Sequence, residues 1–191
     1  MAALENLHDA FIDELRDAYD AEKQLVKALP RMAGAATSES LRLALEHHLA
    51  ETGRQVASIE GVLQSLAVSE RRKRCDGIAG ILAEVTVLID DGADEATLDA
   101  CLIASGQRAG HYGIAAYGTL AAWARTIGHD QAADVLDGIL AQKKAADQTL
   151  AALGKNGIYA AAARTAPADH LAHQSLFHPA SDVACAPATH P

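Results

Sequence analysis

Residues 4–30 read LENLHDAFIDELRDAYDAEKQLVKALP. The apolar positions Leu4, Leu7, Phe11, Leu15, Tyr19, Leu25 or Val26, and Leu29 recur at spacings of three and four, which places them along one face of a long helix. Pro30 ends the pattern, because proline has no N–H to continue the ladder and its ring crowds the preceding turn. Glu22 falls on the apolar stripe itself, and it sets the question that the rest of the sequence must answer.

The same periodicity predicts three more long helices. One starts after Ser38, a capping residue, and runs through Leu41, Leu45, His48, Thr52, Val56, Ile59, Leu63 and Leu66. A weaker stretch follows, with the basic run Arg71-Arg72-Lys73-Arg74 read as a solvated turn, then Cys75-Asp76-Gly77 and a short apolar helix from Ile78 to Ile89. The third long helix spans about Glu95 to Ile127 and carries four glycines, Gly106, Gly110, Gly113 and Gly118. The fourth spans about Gln131 to Leu153, where Gly154 and Asn156-Gly157 break it. Two long helices, a long crossover containing a short fifth helix, and two more long helices define an all-α, ferritin-like four-helix bundle over residues 1–160. Residues 161–191 read as an irregular tail, disordered or draped on the surface, since four of the five prolines and four of the nine histidines lie beyond residue 164.

Composition narrows the function classes. The formal charge of −9 repels nucleic acid and anionic membrane surfaces, and no uncharged stretch approaches the length of a membrane span. Glu5 and Asp9 stand where a secretory signal would need an apolar core, so a cytoplasmic location is expected, and three widely spaced cysteines, Cys75, Cys101 and Cys185, suggest neither a disulfide framework nor a zinc cluster. With only 4% aromatic residues, the core must be built from small aliphatic side chains on closely spaced helices.

The informative residues are polar ones in core registers: Glu22 on the first helix, His48 with Glu51 one turn away on the second, and Lys143 with Asp147 on the fourth. Carboxylates and histidine facing into such a bundle are the usual first ligands of a carboxylate-bridged two-metal site. The third helix offers only His111 beside its glycines, and the Lys143 ammonium competes with any dication. Read together, Lys143 replaces metal charge and neutralises Glu22, Glu51 and Asp147, while Gly110 and Gly113, with Tyr19, Tyr112 and Tyr117 nearby, wall a cavity.

These stretches, Tyr19-Asp-Ala-Glu-Lys-Gln-Leu25, His48-Leu-Ala-Glu-Thr52, Cys75-Asp-Gly77, Gln107-Arg108 with His111-Tyr112 and Ala115-Ala-Tyr-Gly118, and Lys144-Ala-Ala-Asp147, occur in an order that resembles the YciE/YciF type of ferritin-like proteins. The resemblance covers residues 4 to 154 and implies a bacterial stress-associated bundle with a di-iron-type site. Glu22, His48, Glu51 and Asp147 match its ligand positions; glutamates are implied where this chain has Gly110 and Gly113, and acidic residues where it has Gln142 and Lys143.

Three functions are consistent with these residues. The preferred one is a metal-free or metal-poor binding or structural subunit, paired as a homodimer or with a related ferritin-like subunit. In the second, the chain is a metal-independent enzyme that holds a small organic substrate among Lys143, His48, Glu51 and Glu22. Under the third, one iron or manganese bound by Glu22, His48 and Glu51 retains redox chemistry. The tail histidines His170, His173, His178 and His190 are read as part of a disordered or partner-docking segment rather than a metal site.

Overall fold

The computed structural model describes residues 4–69 and 73–164. Helix α1 (Leu7–Ala35) starts at Asn6, whose side chain accepts from the Asp9 N–H, and α2 (Glu39–Ser65) starts at Ser38, capping the Leu41 N–H. The crossover carries α3 (Asp76–Asp90), after which α4 (Glu95–Thr126) and α5 (Asp130–Leu153) form the second long pair. The strongest packing is within the pairs α1–α2 and α4–α5, the pairs meet through α1 against α4 and α2 against α5, and α3 lies across α1 and α4. This is the expected all-α bundle with one helix in its long crossover.

One expected stop does not stop its helix. Pro30 lies inside α1, on its exposed side, and the helix continues to Ala35 because Met32 and Ala33 are buried in the core beyond it. At the other end α5 stops at Leu153, where the glycines are expected to break it, and the chain continues through a kinked turn, Gly154–Ile158, into α6 (Tyr159–Arg164). Gly157 supplies that turn with a φ of 143°, a conformation side chains rarely adopt, and Gly154 leaves room for the Tyr159 ring. Residues 161–164, assigned to the tail from sequence, are therefore helical, and the remainder of the tail, with Cys185 and its four histidines, lies outside the described residues.

The core divides into two apolar clusters along the bundle. One gathers Phe11, Leu15, Ile59, Leu63, Leu120 and Leu136, and the other Leu25, Leu29, Leu41, Leu45, Leu102 and Ile103. Charged Glu22 and Lys143 belong to neither, although both are buried. Another buried carboxylate, Asp99 on α4, ties down the turn between α1 and α2: it accepts from Thr37 N (2.8 Å), Thr37 Oγ1 (2.8 Å) and Ser38 N (2.7 Å). Nothing in the local sequence marked Asp99, since its partners are some sixty residues away. Asp99→Ala orphans two backbone N–H groups and is expected to lower stability by about 3 kcal/mol, measured by urea unfolding, with Asp99→Asn losing less.

Candidate functional site at the bundle centre

Helix α1 delivers Glu22, α4 delivers Tyr117 and Gly113, and α5 delivers Lys143 to one point. Lys143 Nζ donates to Glu22 Oε2 at 2.7 Å, and Tyr117 OH donates to Glu22 Oε1 at 2.8 Å. The Lys143 and Glu22 side chains are 2% and 3% exposed, so the pair is held in a low-dielectric interior where neither charge is tolerable alone. Desolvation and the Glu22 carboxylate together push the Tyr117 phenol well above its ordinary range, keeping it a neutral donor.

Gly113 has a definite task here. A Cβ at that position would lie 3.4 Å from both Cδ and Cε of Lys143, so the missing side chain provides the bed for the lysine stem. The expected cavity behind the glycines does not form. Only about 10 Å³ remains open beside Glu22, Gly113 and Tyr117; on the α5 side the Lys143 stem lies against Gly113, and a Cβ on Gly110 would make ordinary contact with Asp147 Cβ at 3.9 Å.

The expected clustering of three carboxylates around Lys143 is corrected as well. Asp147 turns toward the bundle surface, 3.3 Å from His111 Nε2 and 3.3 Å from Gln107 Nε2. Glu51 faces His47, 3.6 Å from its Nε2, and is partly exposed. Glu22 alone takes the ammonium, since it sits at the height of Lys143 while the other two lie on outward edges of α2 and α5. Gln142, at a position where the family resemblance implies an acid, accepts from Gln55 Nε2 at 2.8 Å. Tyr19 leaves the site altogether: its hydroxyl donates to Glu60 on α2 and the Lys23 ammonium lies over its ring.

His48 is buried, and its imidazole pKa is lowered to about 3, first by desolvation and then by the nearby Lys143 and His47. It is therefore a neutral ring beside a fixed cation. Both Glu22 oxygens are engaged, Oε2 by Lys143 and Oε1 by Tyr117. Among the described residues no three His, Cys, Asp or Glu side chains converge as metal ligands.

A second polar network, unread from the sequence, links α1 to the crossover. Asp20 accepts from the Cys75 N–H (2.9 Å), and Gln24 donates to Asp20 (2.6 Å) and to the Cys75 carbonyl (3.0 Å). Tyr112 OH donates to Asp17 (2.9 Å) and lies 3.0 Å from Cys75 Sγ, whose thiol burial pushes up to about 11. Gly77 completes it by omission, since a Cβ there would sit 2.7 Å from the Tyr112 ring. Lys73, from the basic run read as a solvated turn, is tied to Asp13 at 2.6 Å; Arg71 and Arg72 lie outside the described residues.

A helical bundle with a crossover helix and this ordered set of motifs defines a class. Residues 6–163 match the family described as Domain of unknown function (DUF892), and the chain belongs to that family. It is 37% identical over 156 residues to Protein YciF of Escherichia coli (strain K12), covering 81% of this chain and 94% of that protein. The crystal structure of the E. coli stress protein YciF superposes with a TM-score of 0.79 at 37% identity, covering 82% of this chain and 99% of that one. YcfI from Rhodopseudomonas palustris superposes with a TM-score of 0.75, also at 37% identity, over 78% of this chain and 95% of its own. Among the described residues no helix is long and apolar enough to cross a membrane.

Two outcomes follow from the central pair. Lys143→Met strands the Glu22 carboxylate and is expected to lower stability by about 3–5 kcal/mol, whereas Glu22→Gln with Lys143→Met recovers most of that loss, a contrast read by urea unfolding. For His48 the folded pKa lies below its unfolded value of 6.5, so between pH 6.5 and about 3 the unfolded chain binds the extra proton. Stability is then fully present above pH 6.5 and falls through that window by up to ~1.4 kcal/mol per pH unit. His48→Gln, compared with wild type by urea midpoints at several pH values, is expected to flatten that dependence.

Proposed function

We propose that this protein is a divergent YciF-like stress-type protein that works as a metal-free or metal-poor binding or structural subunit, with Lys143 replacing the charge of a metal. The observation that carries this reading is the 2.7 Å contact between Lys143 Nζ and Glu22 Oε2, both almost fully buried. An ammonium placed there neutralises the carboxylate and spans α1 and α5, the work a bridging cation would otherwise do. Support comes from Gly113, whose lack of a side chain accommodates the lysine stem. The narrow space beside Glu22 weighs against the alternative in which a small organic substrate is turned over at this centre.

A bundle of this kind acts by what its surfaces bind, and a homodimer or a pair with a related ferritin-like subunit in the cytoplasm is the form we assign to it. The test is metal analysis by mass spectrometry of untagged protein loaded anaerobically with iron and manganese. It is run beside a variant carrying Gly110→Glu, Gly113→Glu, Gln142→Glu and Lys143→Glu. The expected result is a wild type far below one metal per chain and a variant that takes metal up. Wild type holding about one iron or manganese per chain, lost in Glu22→Ala, overturns the reading.

A further inference from the structure

Buried polar atoms in folded proteins find partners, and those without a protein partner mark ordered water or a ligand. Three such atoms lie on successive turns of α2: Nε2 of His48, Oγ1 of Thr52 and Oε1 of Gln55. All three residues are more than nine-tenths buried. Positions 48, 52 and 55 are spaced by four and three, so they share one face of the helix. That face looks toward α5, since Gln55 donates to Gln142 and the Lys143 charge acts on His48.

Lys143 brings unmet capacity of its own. An ammonium has three N–H bonds, and among the described residues the one hydrogen bond it makes is to Glu22. Thr52 is equally telling, because a helical threonine hydroxyl ordinarily finds the carbonyl one turn back, and this one does not. Outside the same face, between α2 and α5, lies a cleft of about 100 Å³ lined by His47, His48, Glu51, Ala145, Ala146 and Thr149, roomy enough for several waters at ~30 Å³ each.

The hydrogen-bonding inventory selects the occupant. Lys143 only donates, Gln55 Oε1 only accepts, and the Thr52 hydroxyl and a neutral His48 ring can do either. The occupant must therefore both donate and accept. It must also be uncharged, because an anion would meet Glu51 at the cleft and a cation would meet Lys143 beneath it.

We propose that the α2–α5 cleft and the polar face formed by His48, Thr52 and Gln55 constitute a solvent inlet to the Lys143–Glu22 pair. It is a binding site for small uncharged molecules that both donate and accept hydrogen bonds, with water as its resting occupant. The inlet rests on the reading that Lys143 remains at the centre as the resident cation, and it gives that buried ammonium a route of proton exchange with solvent.

The sign of one substitution separates a hydrated face from a dry one. In a dry interior an unpartnered hydroxyl is a liability, so Thr52→Val would raise the thermal midpoint of the full chain; at a hydrated face valine deprives a water of its partner and lowers it. Oxygen-17 relaxation dispersion in labelled water counts long-lived internal waters in the same samples, and metal content is measured alongside. The expected result is a lower midpoint for Thr52→Val and at least one long-lived water fewer than in wild type. A raised midpoint, or an unchanged water count, overturns the inlet. Stoichiometric metal in those samples overturns the metal-free reading instead, so the two failures are distinguishable.

Discussion

A buried ammonium and a buried carboxylate, 2.7 Å apart, hold the middle of this bundle together, and removing either one alone leaves an uncompensated charge in the interior. The constraint spreads outward from that contact. Tyr117 must point at the second oxygen of Glu22, α4 must carry a glycine at 113 to admit the lysine stem, and His48 must stay neutral beside the fixed positive charge. The apolar clusters above and below exclude solvent from both ends of the pair, which strengthens the attraction and raises the penalty for losing a partner. Such a pair contributes little net stability over an apolar replacement of the same shape. Its effect is to fix the axial register of α1 against α5, since a slip of one turn would separate the two charges.

Helix α1 connects the centre to the crossover. Five of its residues from 17 to 24 point in several directions to long-range partners: Asp17 to Tyr112, Tyr19 to Glu60, Asp20 and Gln24 to the backbone at Cys75, and Glu22 to Lys143 and Tyr117. Through these contacts one stretch of α1 touches α2, α4, α5 and the start of α3. The proposed inlet lies on the far side of the centre, where α2 carries polar atoms with no protein partner. The tethered α1 and the proposed hydrated face of α2 thus border the same ion pair.

Glycine along α4 shows how one residue type can serve separate ends. Gly113 makes room for a lysine stem, whereas a Cβ on Gly106 would come within 2.8 Å of the Leu150 side chain, so there the absence lets α4 and α5 approach. Both lower helix propensity by about 1 kcal/mol relative to alanine, a loss that close packing of two long helices offsets.

Much of this was legible in the sequence, because a period of 3.6 is a property of the chain itself. It places Glu22, His48 and Lys143 on core stripes, sets the order and lengths of the helices, and leaves the crossover as a short helix. Periodicity within one helix carries no information about the height of that helix against its neighbours. So only the tertiary structure decided that Lys143 pairs with Glu22 and not with Glu51 or Asp147, that Tyr19 turns to Glu60, and that Gly113 is filled by lysine and encloses no cavity. The same holds at the helix ends. Pro30 is a local stop signal that burial of Met32 beyond it overrode, because tertiary contacts outweigh the propensity of a single residue, whereas Gly154 ends α5 at Leu153 as its sequence implies.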